Sequence, residues 1–175
     1  MTLFEQRMQR AIDLVGQYSD DVSMDDIAII GYCFGGTGVV QYGFSGATDA
    51  KVAVAFHGGL QTVPMVSETI SPYMLILSGG ADDSHGNQTQ LEGALNDANA
   101  TWEISRYSGV VHGYTVWGSS AYNLNADARS WESMTTALYE KMMMPELVSR
   151  TSAGAISLLN WSAAIAGAVA TVVFM

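Results

Sequence analysis

The chain has 175 residues, of which 49% are hydrophobic, so it is long enough to bury a core of its own as a single domain. Seventeen acidic residues against seven basic ones give a formal net charge of −10, which excludes the basic surface that nucleic acids and anionic membranes require. The single cysteine excludes an internal disulfide, and the three histidines lack metal-ligand spacing, so we expect neither a metal nor a cofactor.

The first two predicted elements are a helix and a buried strand. Apolar residues recur at helical spacing between Leu3 and Val15, which predicts an N-terminal helix. After a polar loop, the run Ile27-Ala28-Ile29-Ile30 predicts a short strand that is buried on both faces.

A tight turn with a cysteine at its tip follows this strand. In Gly31-Tyr32-Cys33-Phe34-Gly35-Gly36, the glycines permit strained torsions and close packing of the next helix, which pushes residue 33 outward. The helix start favours a thiolate at Cys33, and the backbone N–H of Phe34 would donate to an oxyanion. This pattern favours a nucleophile; the alternative is a buried structural cysteine.

Two further strands are predicted to end beside this turn. The run Tyr73 to Ser78 leads into Gly79-Gly80-Ala81-Asp82-Asp83, which would present a carboxylate at the carboxyl edge of the sheet. We expect Asp82 to be the catalytic acid; the alternative is a helix cap or turn residue, with Asp83 or Ser84 in competition for the cap.

The strand predicted from Thr101 to Tyr107 leads through a loop to His112. His112 would then lie at the same edge as Cys33 and Asp82, in the chain order nucleophile, acid, base. An isolated histidine is usually not catalytic, and the ordered set of three is what favours a general base here.

The remaining pattern alternates strands with helices, which predicts an α/β fold with a mostly parallel sheet flanked by helices. A strand is expected over Val52 to Phe56, followed by His57, which we interpret as structural. The three further helices predicted lie at Gly35 to Phe44, Asn87 to Asn99 and about Asp127 to Met142.

The segment from about Ile27 to Met142 resembles the dienelactone hydrolase family of α/β-hydrolases. Besides the cysteine turn, the segments that carry this resemblance are Phe56-His57-Gly58-Gly59-Leu60, Gly80-Ala81-Asp82-Asp83, His112-Gly113-Tyr114, Tyr122-Asn123 and Ala126-Asp127-Ala128-Arg129-Ser130-Trp131. The resemblance implies that Cys33 is the nucleophile, that Asp82 orients the histidine, and that His112 is base and then acid. The implied reaction is hydrolysis of a small ester or lactone through an acyl-cysteine.

The sequence departs from the family pattern at two points. The family has several strands before the nucleophile strand, which supply a second oxyanion donor, whereas only one helix precedes Ile27 here. We therefore expect a partial α/β-hydrolase fold in which the nucleophile strand is an open edge. Family members that act on dienelactone carry an arginine four residues after the histidine, where this chain has Val116, which argues against dienelactone itself.

Three aromatic residues near His112 are candidates for lining an acyl pocket: Tyr114, Trp117 and Tyr122. The alternative is that they only seal the loop that follows the histidine.

The end of the chain differs in composition from the rest. We predict a hydrolase-like domain over residues 1–145 and an apolar tail over residues 146–175, separate from the hydrolase core. The stretch from Thr151 to Met175 has no charge, which suits a membrane span, a glycolipid-anchor signal that is removed, or an unselected extension. The compartment stays open between a soluble cytoplasmic protein and a membrane-associated one, and the oligomeric state is not predicted.

The expected function is therefore a cysteine hydrolase with a small-molecule ester or lactone as its substrate. Two alternatives stay open at this point: a catalytically inactive truncated relic, and a membrane-tethered binding module of the same fold.

Overall fold

The fold is a parallel β-sheet with helices on both faces. A computed structural model describes residues 3–18, 20–59, 69–82 and 87–143, and the backbone of residues 170–174. The strands are β1 (Ile27–Tyr32), β2 (Val52–Phe56), β3 (Tyr73–Gly79), β4 (Trp102–Tyr107) and β5 (Ala170–Phe174). The helices are α1 (Leu3–Gly16), α2 (Phe34–Phe44), α3 (Asn87–Asp97) and α4 (Leu124–Leu138), and α4 continues into a π-helical turn at Tyr139–Met143.

The sheet has the strand order β4-β3-β2-β1-β5, and every neighbouring pair is parallel. This arrangement confirms the predicted α/β class. Successive residues of a strand point to opposite faces, so β1 supplies two cores: Ile27 and Ile29 pack with α1, α2 and α3, while Ala28 and Ile30 pack with α4. Burial on both faces explains why β1 and β2 are continuous apolar runs in the sequence.

The last strand corrects the expectation that β1 is an open edge. Ala170 pairs with Ile27 and Phe174 with Gly31, so β5 covers the outer side of β1 along most of its length. Five residues of the predicted apolar tail thus belong to the sheet rather than lying apart from it. The physical reason is that β1 presents unpaired backbone groups, which a segment rich in valine and threonine can satisfy as a strand.

The rest of the predicted tail, residues 146–169, lies outside the described residues, and so do Asp83, Ser84 and His85. Across the part of the chain that is described, no helix combines the length and apolar character needed to cross a bilayer.

Close contact between backbones fixes the start of α2 against the end of β2. A Cβ atom added to Gly58 would lie 2.6 Å from the carbonyl carbon of Gly36 and 2.7 Å from the amide nitrogen of Thr37. A Cβ atom on Gly36 would in turn lie 2.8 Å from the carbonyl oxygen of Phe56. Main-chain atoms cannot move aside individually, so these positions require glycine.

We therefore expect Gly58→Ala to lower the free energy of unfolding by about 1–3 kcal/mol, because the added methyl group forces the backbone of α2 away from β2. The matched control is Gly93→Ala in α3, where no atom of the described residues lies within 4 Å of the added Cβ. Helix propensity predicts a gain of up to about 1 kcal/mol for the control. Urea unfolding followed by circular dichroism measures both, and equal effects would contradict the packing argument.

Candidate active site

Cys33 lies at the tip of the turn between β1 and α2, and its side chain is exposed. Its φ of 53° is in the left-handed region, which a residue with a Cβ adopts only when its surroundings impose it. Two main-chain hydrogen bonds impose it here: the Cys33 N–H donates to the Phe56 carbonyl at 3.0 Å, and the Cys33 carbonyl accepts from Thr37 N at 3.2 Å. The predicted strained turn is thus present in the structure.

The amide of Phe34 is the first of α2 and has no acceptor within the helix, as at the start of any α-helix. Cys33 makes no side-chain capping hydrogen bond to this helix, so its sulfur does not occupy the donors of the first turn. Phe34 is 65% exposed, and its ring meets the Phe4 ring of α1 edge to face at a centroid distance of 5.3 Å.

The three residues singled out in the sequence meet at this edge of the sheet. Cys33 Sγ lies 3.1 Å from His112 Nε2, and His112 Nδ1 lies 2.9 Å from Asp82 Oδ2. With Nδ1–H donating to the carboxylate, the neutral imidazole has its acceptor nitrogen facing the thiol. A proton can therefore pass from sulfur to nitrogen along an existing contact.

The segments that carry Asp82 and His112 are joined by their main chains. Gly80 N–H donates to the Tyr107 carbonyl at 2.6 Å, and Ala81 N–H donates to the Val110 carbonyl at 2.8 Å. A Cβ atom on Gly79 would lie 2.4 Å from the Val110 oxygen, so glycine at the end of β3 is what allows this approach. The carboxylate and the imidazole are thus held at a fixed separation by backbone.

The environment of His112 favours its protonated form. Burial alone would lower the pKa of His112, but hydrogen bonds to Cys33 and Asp82, together with the negative charges of these two groups, raise it above its usual 6.5. The imidazole can therefore accept a proton more readily than a free histidine can.

A second histidine, His57, packs against the first. It follows β2 directly, is only 1% exposed, and places its ring centroid 5.1 Å from that of His112. Burial and the proximity of His112 lower the pKa of His57 to about 4. The sequence led us to interpret His57 as structural. Nothing local in the sequence indicates that residues 57 and 112 are in contact.

The three predicted pocket aromatics lie in different environments. Tyr114 is fully buried, and its hydroxyl donates to the Leu77 carbonyl at 3.2 Å. This hydrogen bond attaches the loop after His112 to β3. Trp117 is 81% exposed, and its Nε1–H donates to Asp127 Oδ2 at 3.1 Å. Tyr122 donates its hydroxyl to the same oxygen at 3.1 Å. Asp127, in the first turn of α4, therefore holds two points of the loop after His112. In the sequence, Asp127 stands out only as part of the motif Ala126-Asp127-Ala128-Arg129-Ser130-Trp131.

No group of three or more histidine, cysteine, aspartate or glutamate side chains within the described residues is arranged to hold a metal ion. The arrangement at Cys33 is suited to acid–base and nucleophilic chemistry.

The sequence and the fold are similar to those of known proteins. The sequence is 29% identical to a candidate carboxymethylenebutenolidase from Synechocystis sp., in an alignment that covers 65% of this chain and 50% of that protein. Among solved structures, a dienelactone hydrolase-like promiscuous phosphotriesterase from metagenomic libraries superposes with a TM-score of 0.70 at 25% identity, over 79% of this chain and 61% of that one. A candidate dienelactone hydrolase from Klebsiella pneumoniae gives a TM-score of 0.53 at 26% identity, over 65% and 51% of the two chains.

The chain thus spans about half to three fifths of the length of these relatives. A sequence model of the dienelactone hydrolase family matches residues 2–142, which include every strand from β1 to β4 and all four helices. This chain belongs to the dienelactone hydrolase family.

Proposed function

We propose that this protein hydrolyses a small ester or lactone, with Cys33 as nucleophile, His112 as general base and then acid, and Asp82 as the residue that orients the imidazole. The observation that carries the proposal is the continuous pair of contacts, 3.1 Å from sulfur to Nε2 and 2.9 Å from Nδ1 to the carboxylate. Membership of the family supports the class of reaction.

In the first half of the proposed reaction, the thiol proton moves to His112 Nε2 while Sγ forms a bond to the carbonyl carbon. The carbonyl oxygen becomes an oxyanion, and the backbone N–H of Phe34 is the donor that we propose for it. The C–O bond to the leaving group then breaks, and His112 returns its proton to the departing alkoxide. An acyl-cysteine remains, and the alcohol leaves.

In the second half, a water molecule attacks the acyl carbon and gives a proton to His112. The C–S bond breaks as the carboxylic acid forms, and the imidazole returns its proton to sulfur. Asp82 stabilises the imidazolium in both halves without itself accepting the proton. No co-reactant other than water is needed.

The surface around Cys33 favours an uncharged substrate. Four exposed apolar side chains lie within five residues of Cys33 or His112 in the sequence, with 46–81% of their surface accessible: Phe34, Val111, Val116 and Trp117. No lysine or arginine occurs within five residues on either side of Cys33, Asp82 or His112. Because the chain carries a formal charge of −10, we expect it to repel a carboxylate-bearing substrate.

The nucleophile is tested with the full chain, a chromogenic 4-nitrophenyl ester, and the first turnover followed by stopped flow. We expect a burst of nitrophenol and then steady turnover, because an activated nitrophenyl ester should acylate the cysteine faster than water hydrolyses the acyl-cysteine. In Cys33→Ala the burst should disappear and kcat/KM should fall by more than about 10³-fold. Equal rates for the two proteins would overturn the proposal and favour the inactive relic.

The pH dependence tests the base. Since the proposed base must be neutral and its pKa lies above 6.5, kcat/KM should fall as the pH decreases through a value above 6.5. Asp82 raises that pKa, so Asp82→Asn should move the acidic limb of the profile to lower pH and reduce the plateau by about 10²-fold or more. The matched control is Asp127→Asn, which removes the same charge from a carboxylate that is bonded to Trp117 and Tyr122. If Asp127→Asn moved the acidic limb of the profile to lower pH by as much as Asp82→Asn, the proposed role of Asp82 would be contradicted.

Substrate charge is tested with 4-nitrophenyl butyrate and 4-nitrophenyl hydrogen succinate, which differ by a methyl group against a carboxylate. The spontaneous hydrolysis of each ester is subtracted, because the succinate carboxylate can attack its own ester. We expect kcat/KM to be about 10-fold or more higher for the butyrate, a difference of roughly 1.4 kcal/mol. Val116→Arg should raise kcat/KM for the succinate and leave the butyrate nearly unchanged. Equal hydrolysis of both esters by the parent protein would show that the site does not select against charge.

A further inference from the structure

His57 has a costly conformation for a residue that serves only as packing. Its φ of 37° lies in the left-handed region, and its backbone N–H is held by the Leu77 carbonyl at 2.8 Å. The side chain is 1% exposed, and its buried Nδ1 atom has no hydrogen-bond partner outside its own residue among the described residues. A buried polar atom without a partner costs free energy that an apolar side chain of similar size would avoid. Strain and desolvation at one residue therefore call for a functional explanation.

The contacts of His57 connect it to the candidate base in two ways. Its ring meets the His112 ring edge to face, at 5.1 Å and an interplanar angle of 69°. Its Nε2 atom lies 2.8 Å from the hydroxyl oxygen of Thr115, three residues after His112. On another side the ring meets that of Tyr114 at 5.1 Å and 78°. His57 thus touches the imidazole itself and the loop that carries it.

The charge state of His57 suits a neighbour of a base. With a pKa of about 4, His57 is neutral at the pH where His112 would accept a proton. A positive charge behind His112 would oppose the formation of its imidazolium, whereas a neutral ring limits the movement of the imidazole without that opposition. The titratable groups that face His57 are His112 and Tyr114 from the loop, Tyr32 from β1, and Asp82 after β3.

We propose that His57 is a positioning residue, whose neutral ring, held by Thr115, fixes the His112 imidazole in line between Cys33 and Asp82. This inference rests on the proposed cysteine hydrolase function. It differs from a packing role because it predicts a change in the behaviour of His112 as well as in stability.

The test substitutes His57→Asn, since asparagine tolerates positive φ but removes the ring. We expect kcat/KM for 4-nitrophenyl butyrate to fall about 10- to 100-fold, the effect of a small misplacement of a reacting group. Water would then reach His112 and favour its charged form, so the acidic limb of the pH profile should move to higher pH. If His57 had only a packing role, His57→Asn would lower the melting temperature and leave the acidic limb of the pH profile unchanged.

Two further variants make the outcome decisive. Thr115→Val keeps the His57 ring and the volume of the loop but removes the hydrogen bond, and should reduce kcat more than it changes KM. Tyr42→Phe is the control: it removes a buried hydroxyl that bonds Ala50 N and Asp49 at the far end of α2, so it should lower stability without altering the profile.

The results separate the two proposals. If Cys33→Ala abolishes turnover but His57→Asn and Thr115→Val both keep the parent's kcat/KM and pH profile, the positioning role is wrong and the hydrolase stands. If Cys33→Ala leaves turnover unchanged, the hydrolase proposal itself fails. If His57→Asn does not fold, an unchanged kcat in Thr115→Val is sufficient to overturn the positioning role.

Discussion

The contact of backbone with backbone at the start of α2 is the constraint on which the site depends. Glycines at 31, 36 and 58 let the first turn of the helix lie against the ends of β1 and β2 closer than any Cβ would permit. With its neighbours held this way, Cys33 has no relaxed conformation available and takes φ 53°. The close packing of α2 on the sheet therefore also keeps the Cys33 thiol exposed, at the edge of the sheet where the other strands end.

The charges at the site are paired within the protein. The chain carries a formal net charge of −10, and the Asp82 carboxylate is hydrogen-bonded to the His112 imidazole. The hydrogen bonds of His112 to Cys33 and Asp82 compensate for its partial burial, while His57 behind it stays neutral. Two histidines whose rings are in contact thus have pKa values displaced in opposite directions, that of His57 downward mainly by burial and that of His112 upward by Cys33 and Asp82, an arrangement typical of functional sites.

Much of the fold could be predicted from the sequence, because the signals were local. Isoleucine, valine and leucine runs indicated β1, β2 and β3, and the glycines around Cys33 indicated a turn that only such close packing requires. Cys33, Asp82 and His112 could be named because each follows a strand, and parallel strands end at a common edge. The contact of His57 with His112 could not be predicted, since it depends on how two loops meet. β5 was missed for a different reason: an uncharged run of small and β-branched residues fits a membrane segment and a buried strand equally well.

The pairing of β5 with β1 also bears on how the chain folds. Ile27 and Ala170 are partners although about 140 residues separate them, so their pairing closes a very long loop and the loop entropy must be paid before the contact forms. During synthesis, β1 and the cysteine turn emerge long before β5 is made. By contrast, β2, β3 and β4 emerge in the same order in which they pair outward from β1 in the sheet. The edge of β1 therefore lacks this partner on the nascent chain until β5 has been synthesised. During this interval the unpaired edge is open to misassembly with another copy of the chain.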